Sequence, residues 1–127
     1  GSASNFWAVW DGRPDLVGAT IHYLARGLDC GDMLFHVVPH PDVFDPFRFT
    51  MHAVRAAHDA VSRFLQEGVD GGRPVPQDRS RELRYTRSRE FTAEVASEFM
   101  RRDWDPEQVL RCCNGRAAGD FVNLRIC

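Results

Sequence analysis

Apolar positions change period several times along the chain, and each change marks a new element. Residues 19–24 alternate, with Ala19, Ile21 and Tyr23 on one side and Thr20, His22 and Leu24 on the other. That period of two predicts a pleated strand. Met33 to Val38 is apolar at both parities, which predicts a second strand covered on both faces. Between them Gly27 and Gly31 admit backbone angles closed to other residues, so the segment reads as strand, turn, strand with Asp29 near the apex.

Helical spacing surrounds this unit. Phe6, Val9 and Trp10 form an i, i+3, i+4 stripe in a helix over residues 2–11, with Ser2 or Ser4 as N-cap and Gly12-Arg-Pro14 as its stop. Trp7 and Trp10 share a face, and such a pair is core more often than a ligand platform. The longest helix runs from about Phe47 to Glu67 and ends at Gly68. Met51, Val54, His58, Val61 and Leu65 make one stripe on it, with His58 read as a hydrogen-bonded core histidine. Thr50, Ala53, Ala57, Ala60 and Phe64 make a second, small-residue stripe suited to close approach. Ser88 or Thr92 caps a helix reaching about Arg102, with Phe91, Val95 and Phe99 spaced by four. Asp105-Pro106 opens a short helix to Cys113, and Phe121 to Ile126 alternates as a last strand.

Gly71-Gly-Arg-Pro-Val-Pro76 reads as a linker, followed by Arg79, Arg81, Arg84, Arg87 and Arg89. A phosphate-bearing partner would suit that run, but few aromatics interleave with the charge, so it reads as a solvated surface segment. The chain therefore divides into residues 1–70, a linker and Arg-rich segment over 71–89, and a helical extension over 90–127 that ends in a strand.

With 127 residues, 43% apolar content and a formal charge of −2, the composition is that of one globular domain without a strong field for nucleic acid. All 16 basic residues are Arg, which favours planar, bidentate anion contacts. No run approaches the length of a membrane span, and no signal-peptide pattern opens the chain. Cys30, Cys112, Cys113 and Cys127 contain no C-x-x-C, and neighbouring Cys112 and Cys113 make a poor disulfide framework, so a reducing cytoplasm is the expected setting. His36 and His40 are four apart but fall on a strand and the loop after it, so no metal site is expected. Asp29 is the one acidic residue singled out for chemistry, and an ordinary turn aspartate satisfies the same spacing.

The run G-x-T-I-H-x-L-x-x-G-L-D-C-G-D-M-L, from Gly18 to Leu34, resembles the second half of the catalytic domain of formyltransferases that use 10-formyltetrahydrofolate. Leu28 to Leu34 most resembles the methionyl-tRNA and amino-sugar branches, with Cys30 where Thr is commoner. Gly1, Trp10, Gly12 and Gly18 also fall at family positions, and the similarity weakens after about residue 77. The resemblance implies an α/β fold (α+β taken alone), the C-terminal half of a Rossmann-like domain in which a strand–turn–strand unit packs with three to four helices. It implies attack of a substrate amine on the formyl carbon of 10-formyltetrahydrofolate. Asp29 then matches the catalytic aspartate, His22 a supporting histidine, and Arg26, Gly27, Leu28 and Cys30 the loop against the pterin ring.

The family's Asn and His lie in an N-x-H-x-S-L-L-P-x-x-R-G motif whose last residue Gly1 matches, so both catalytic groups are expected in a half upstream of this sequence. Taken alone, the chain is expected to be nearly inactive. The acceptor stays open between an amino sugar and an aminoacyl-tRNA. The proline-rich continuation of the tRNA enzymes is missing after Cys113, which counts against tRNA. The alternative is a binding or oligomerisation module derived from the same fold, pairing with itself or a partner through a sheet edge.

Overall fold

The computed structural model describes residues 3–27, 29–41, 45–68 and 72–127. Gly1, Ser2, Leu28 and Gly71, which carried sequence expectations above, lie outside the described residues. The elements are α1 (Ser4–Trp10), β1 (Ala19–His22), β2 (Met33–Val38), α2 (Pro46–Gln66), α3 (Ala93–Arg101), α4 (Pro106–Asn114) and β3 (Arg125–Ile126). Among the described residues the fold is mixed α and β, a three-stranded sheet of order β1-β2-β3 with four α-helices.

The helices start and stop for local reasons. Asp45 accepts from the Arg48 amide and Pro46 holds the first helical position of α2. Asp105 and Pro106 do the same for α4, and the Thr92 hydroxyl caps α3. In contrast, α1 has Ala3 at its N-cap, with φ 60° and no side-chain cap, so Ser4 is the first helical residue. It ends in a Schellman turn. The Gly12 amide donates to the Val9 carbonyl and the Arg13 amide to the Ala8 carbonyl, with Gly12 at φ 73°.

Antiparallel pairing sets Ala19 opposite Val37, Thr20 opposite His36 and Ile21 opposite Phe35. His22 then faces Met33, so Leu34 is the extra residue of a bulge. That irregularity ends β1 two residues earlier than alternation predicts, and Leu24 is 98% exposed. On the other edge of β2, β3 runs parallel at Val37 and Val38, and Val75 bridges to Met33 through two backbone hydrogen bonds of 2.7 and 2.9 Å. The His36 amide donates to the Val122 carbonyl. Asn123, at φ 43°, kinks the chain and shortens the predicted last strand to two residues.

Two apolar clusters meet along α2. Leu34, Phe35 and Val37 pack with Ala56, Ala60 and Phe64, with Ile21 and Cys127 at the margin. Phe49 and Ala53, nearer the helix start, join Phe6, Trp7, Val9, Val17, Phe99, Val109 and Cys113. The tryptophans of α1 therefore belong to the core, with Trp7 buried and Trp10 packed against it. Fully burying side chains such as Phe35 and Val37 is worth about 1.5–3 kcal/mol each.

The small-residue stripe of α2 is the one that packs. Met51, Val54 and Leu65 are 47%, 45% and 64% exposed, and His58 is exposed as well. The expectation of a core histidine at His58 is therefore overturned: alanines let the helix approach the sheet closely, and that rotation turns the bulkier stripe outward.

Arg84, from the exposed arginine run, pairs with Asp11 and lies 4.2 Å from the Trp7 ring centroid, which ties that segment to α1. Asp15 is buried, with Arg13 on both carboxylate oxygens and the Cys112 thiol on one. Burial pushes this carboxyl up, but the Arg13 and Cys112 hydrogen bonds prevail and hold it below the ordinary range. Burial also raises the Cys112 thiol, and takes Cys113 up to about 11, so neither is a thiolate at neutral pH. All four cysteines are free.

Gly31 is fixed by packing rather than by an unusual φ: a Cβ there would overlap the Tyr23 carbonyl. Nothing lies within 4 Å of a Cβ built at Gly119, which makes that position a control. Gly31→Ala is expected to destabilise the fold by roughly 3 kcal/mol or more, and Gly119→Ala by less than about 0.5 kcal/mol, in urea unfolding. Equal midpoints for the two variants would contradict the packing account.

Candidate functional site

Strand alternation sorts the sheet residues into two faces. Ile21, Phe35 and Val37 face α2, so Thr20, His22 and His36 project from the opposite side. On that side lies a cleft of about 400 Å³, within the usual range of about 300–1,000 Å³ for small-molecule sites. Its lining takes Thr20 and His22 from β1, Met33 and His36 from β2, Asp29 from the turn, Gln77 from the extended segment and Phe121 from the C-terminal stretch. Asn5 of α1 closes one end, its side-chain oxygen accepting from the Gly18 amide at 2.8 Å.

The turn that carries Asp29 is held from several directions. The Tyr23 amide donates to the Asp32 carbonyl at 2.9 Å, and Gln77 Nε2 donates to the Gly31 carbonyl at 2.8 Å. Gly27 sits at φ 113°, and a Cβ there would come within 2.8 Å of Cys30 Sγ. The Cys30 thiol in turn donates to the Arg26 carbonyl at 3.0 Å. Asp29 is itself left-handed, at φ 51°, and exposed. A non-glycine residue in that region costs free energy unless its surroundings impose it, and aspartate tolerates it better than most.

The sequence-singled residues divide into two groups. The structure brings Asp29 and His22 together in the cleft lining, whereas exposed Arg26 and Gly27 and half-buried Cys30 lie outside that lining. Leu28 lies outside the described residues. His36, weighed in the sequence only as half of a metal pair with His40, lines the cleft instead. Its signal was present in the strand pattern: His22 and His36 are the polar members of two facing apolar strands. Gln77 carried no signal, because its role depends on a contact 46 residues away.

Hydrogen bonds fix the two rings differently. His22 Nδ1 is 2.9 Å from the Tyr23 carbonyl, and His36 Nδ1 is 2.8 Å from the Val122 amide. Phe121 meets His36 edge-on, with ring centroids 5.8 Å apart. Burial pushes the His36 pKa below its ordinary 6.5, and the positive charge of Arg81 pushes the same way. The ring is therefore neutral at pH 7.

Among the described residues no group of three or more His, Cys, Asp or Glu side chains is placed to hold a metal ion. No described helix is long and apolar enough to cross a membrane.

A depressed histidine pKa means that the unfolded chain binds the extra proton first, so stability rises with pH through that window. The protein is expected to lose stability as pH falls from about 7 through 6.5 toward the lower folded value, measured by urea unfolding at fixed salt. His36→Asn should remove that part of the slope. An unchanged slope would show that His36 is not the group responsible. Comparison of the chain with protein-family models, with curated proteins and with solved structures finds no match in any of the three.

Proposed function

We propose that this chain supplies the carboxylate side of a folate-dependent formyl-transfer site, in which a substrate amine takes the formyl group of 10-formyltetrahydrofolate. The observation that carries the reading is the placement of Asp29. A turn pinned by Gln77, Gly31 and Cys30 presents its carboxylate at a sheet-face cleft also lined by His22. The similarity of Gly18 to Leu34 to the formyltransferase motif supports the chemistry.

The residues present fit that co-substrate in part. Asp29 and His22 sit where a reacting group in the cleft would meet them. The pterin ring would lie against Arg26, Gly27 and Cys30 of the turn, outside the cleft lining, but the Arg26 carbonyl is already engaged by the Cys30 thiol. Contacts there would then come mainly from the remaining backbone groups and from apolar surface. When bound, 10-formyltetrahydrofolate supplies the electrophilic formyl carbon. Asp29 orients and holds a proton on the attacking side, and His22 offers its outer ring nitrogen to the same space. The Asn and His of the N-x-H-x-S-L-L-P-x-x-R-G motif would stabilise the developing oxyanion from a second half, in the same chain or supplied in trans.

A second reading has its own observation. The stripe of Phe47, Met51, Val54 and Leu65 on α2 is exposed, and β1 is an edge strand. Both features suit a non-catalytic binding or oligomerisation module. Under this reading the chain sediments as a concentration-dependent oligomer that Met51→Glu disrupts, and a strictly monomeric sample over the micromolar range contradicts it.

The formyl-transfer reading predicts that the protein joined or mixed with a half bearing the Asn/His motif transfers formyl groups. Asp29→Asn should lower that rate by about 10²- to 10⁴-fold, the usual contribution of a positioned acid–base group. Full activity in the Asp29→Asn protein would show that the carboxylate has no catalytic part.

A further inference from the structure

We propose that α2 is a homodimer seam: it lies antiparallel against α2 of a second copy, about a two-fold axis level with Ala56. The inference rests on the exposed α2 stripe of the second reading, names its occupant, and holds whether or not the chain takes part in catalysis.

The spacing of the stripe carries the argument. Phe47, Met51, Val54, His58, Val61 and Leu65 follow one another by four, three, four, three and four residues. This is the alternation of a two-helix seam, in which apolar positions recur every 3.5 residues. Phe47, Met51, Val54, His58 and Leu65 are exposed and Val61 is half-buried. The other side of the helix is already buried in the core through Phe49, Ala53, Ala56, Ala60 and Phe64. From Phe47 to Leu65 the seam is about 27 Å long. A strip of that length and period calls for a helix as its cover, and a second α2 supplies one of matching length and spacing.

Register follows from the same positions. In an antiparallel pair Phe47 meets the partner's Leu65, Met51 the partner's Val61 and Val54 the partner's His58, each pair symmetric about residue 56. All six positions are used. A parallel pair would instead set the two His58 rings against each other. A single polar residue in such a seam selects register and orientation, at some cost in stability.

Charge selects the same orientation. One flank of the stripe carries Arg55 and Asp59, both exposed and joined by a 4.0 Å contact along the helix. Antiparallel pairing brings this flank against its own copy, so each Arg55 reaches the partner's Asp59 and two ion pairs form reciprocally. Parallel pairing sets it against the other flank, where Thr50 and Ala57 offer no charge.

The test uses the chain itself. Sedimentation equilibrium should show a monomer–dimer equilibrium in the micromolar range. Met51→Glu puts a carboxylate against the partner's Val61 and should abolish the dimer. The urea midpoint of the dilute chain should stay unchanged, because Met51 is exposed. Arg55→Asp and Asp59→Arg each set like charges across the axis. Each should weaken self-association by roughly 2- to 30-fold, the worth of two exposed ion pairs. Mixed in equal amounts, the two variants should form a heterodimer at least as tight as the native dimer, and added salt should weaken it.

A native chain that stays monomeric, a dimer that survives Met51→Glu, or charge variants that pair no better mixed than alone would each overturn the proposal. If only the last of these occurs, the stripe remains an oligomerisation surface and the second reading survives without the antiparallel seam. A completed protein that transfers formyl groups and still dimerises through α2 overturns the non-catalytic reading and leaves the inference standing.

Discussion

Strand β2 is the constraint on which the remaining structure depends. Its apolar side chains sit between α2 and the cleft face, and both of its edges are hydrogen-bonded, one by the neighbouring strand and the other by pieces of chain distant in sequence. β1 covers one edge, while Val75, Val122 and β3 share the other. A buried strand with unpaired backbone groups would be costly, so the segment around Val75 and the C-terminal stretch are required where they lie. The same pairing brings Gln77 and Phe121 to the cleft. Closing the sheet and building the wall of the site are one event in this fold.

Much of this was legible in the sequence because the determinants are local. Asp45-Pro46 and Asp105-Pro106 announce helix starts through chemistry contained within four residues, and the structure uses both. Met33 to Val38 was expected to be covered on both faces; it packs on α2, while Met33 and His36 are half-buried and line the cleft. The sequence was less informative where two local readings competed. On α2 both stripes are compatible with packing, and backbone approach favours Ala53, Ala60 and Phe64 over Met51 and Val54, with Phe49 and Ala56, from neither stripe, buried beside them while Thr50 and Ala57 are half-buried. Gly31 looked like a turn glycine chosen for its φ. Its constraint is the Tyr23 carbonyl, a neighbour that exists only once the turn has closed. The bulge that ends β1 at His22 has the same origin, since it depends on how the two strands register.

The site shows the same division. Asp29 and His22 follow from the motif and from strand parity, and both line the cleft. His36 and Gln77 enter it through contacts with Val122 and Gly31, between residues 86 and 46 positions apart. Hydrogen bonds from Gln77 to the Gly31 carbonyl and from Cys30 to the Arg26 carbonyl fasten the backbone of the turn that carries Asp29.

The central claim is that the face bearing Asp29 and His22 is a folate-dependent site, and the most direct measurement is the place where a stable folate analogue binds. Titrating 5-formyltetrahydrofolate into the isotopically labelled chain, with backbone amides followed by NMR, answers this without requiring catalysis. The account predicts shifts confined to the Arg26–Asp32 turn, to His22 and to the neighbouring cleft residues, and their loss in Asp29→Asn. Shifts centred instead on the smaller cleft by His40, His52 and Cys127, or no binding at millimolar analogue, would contradict it.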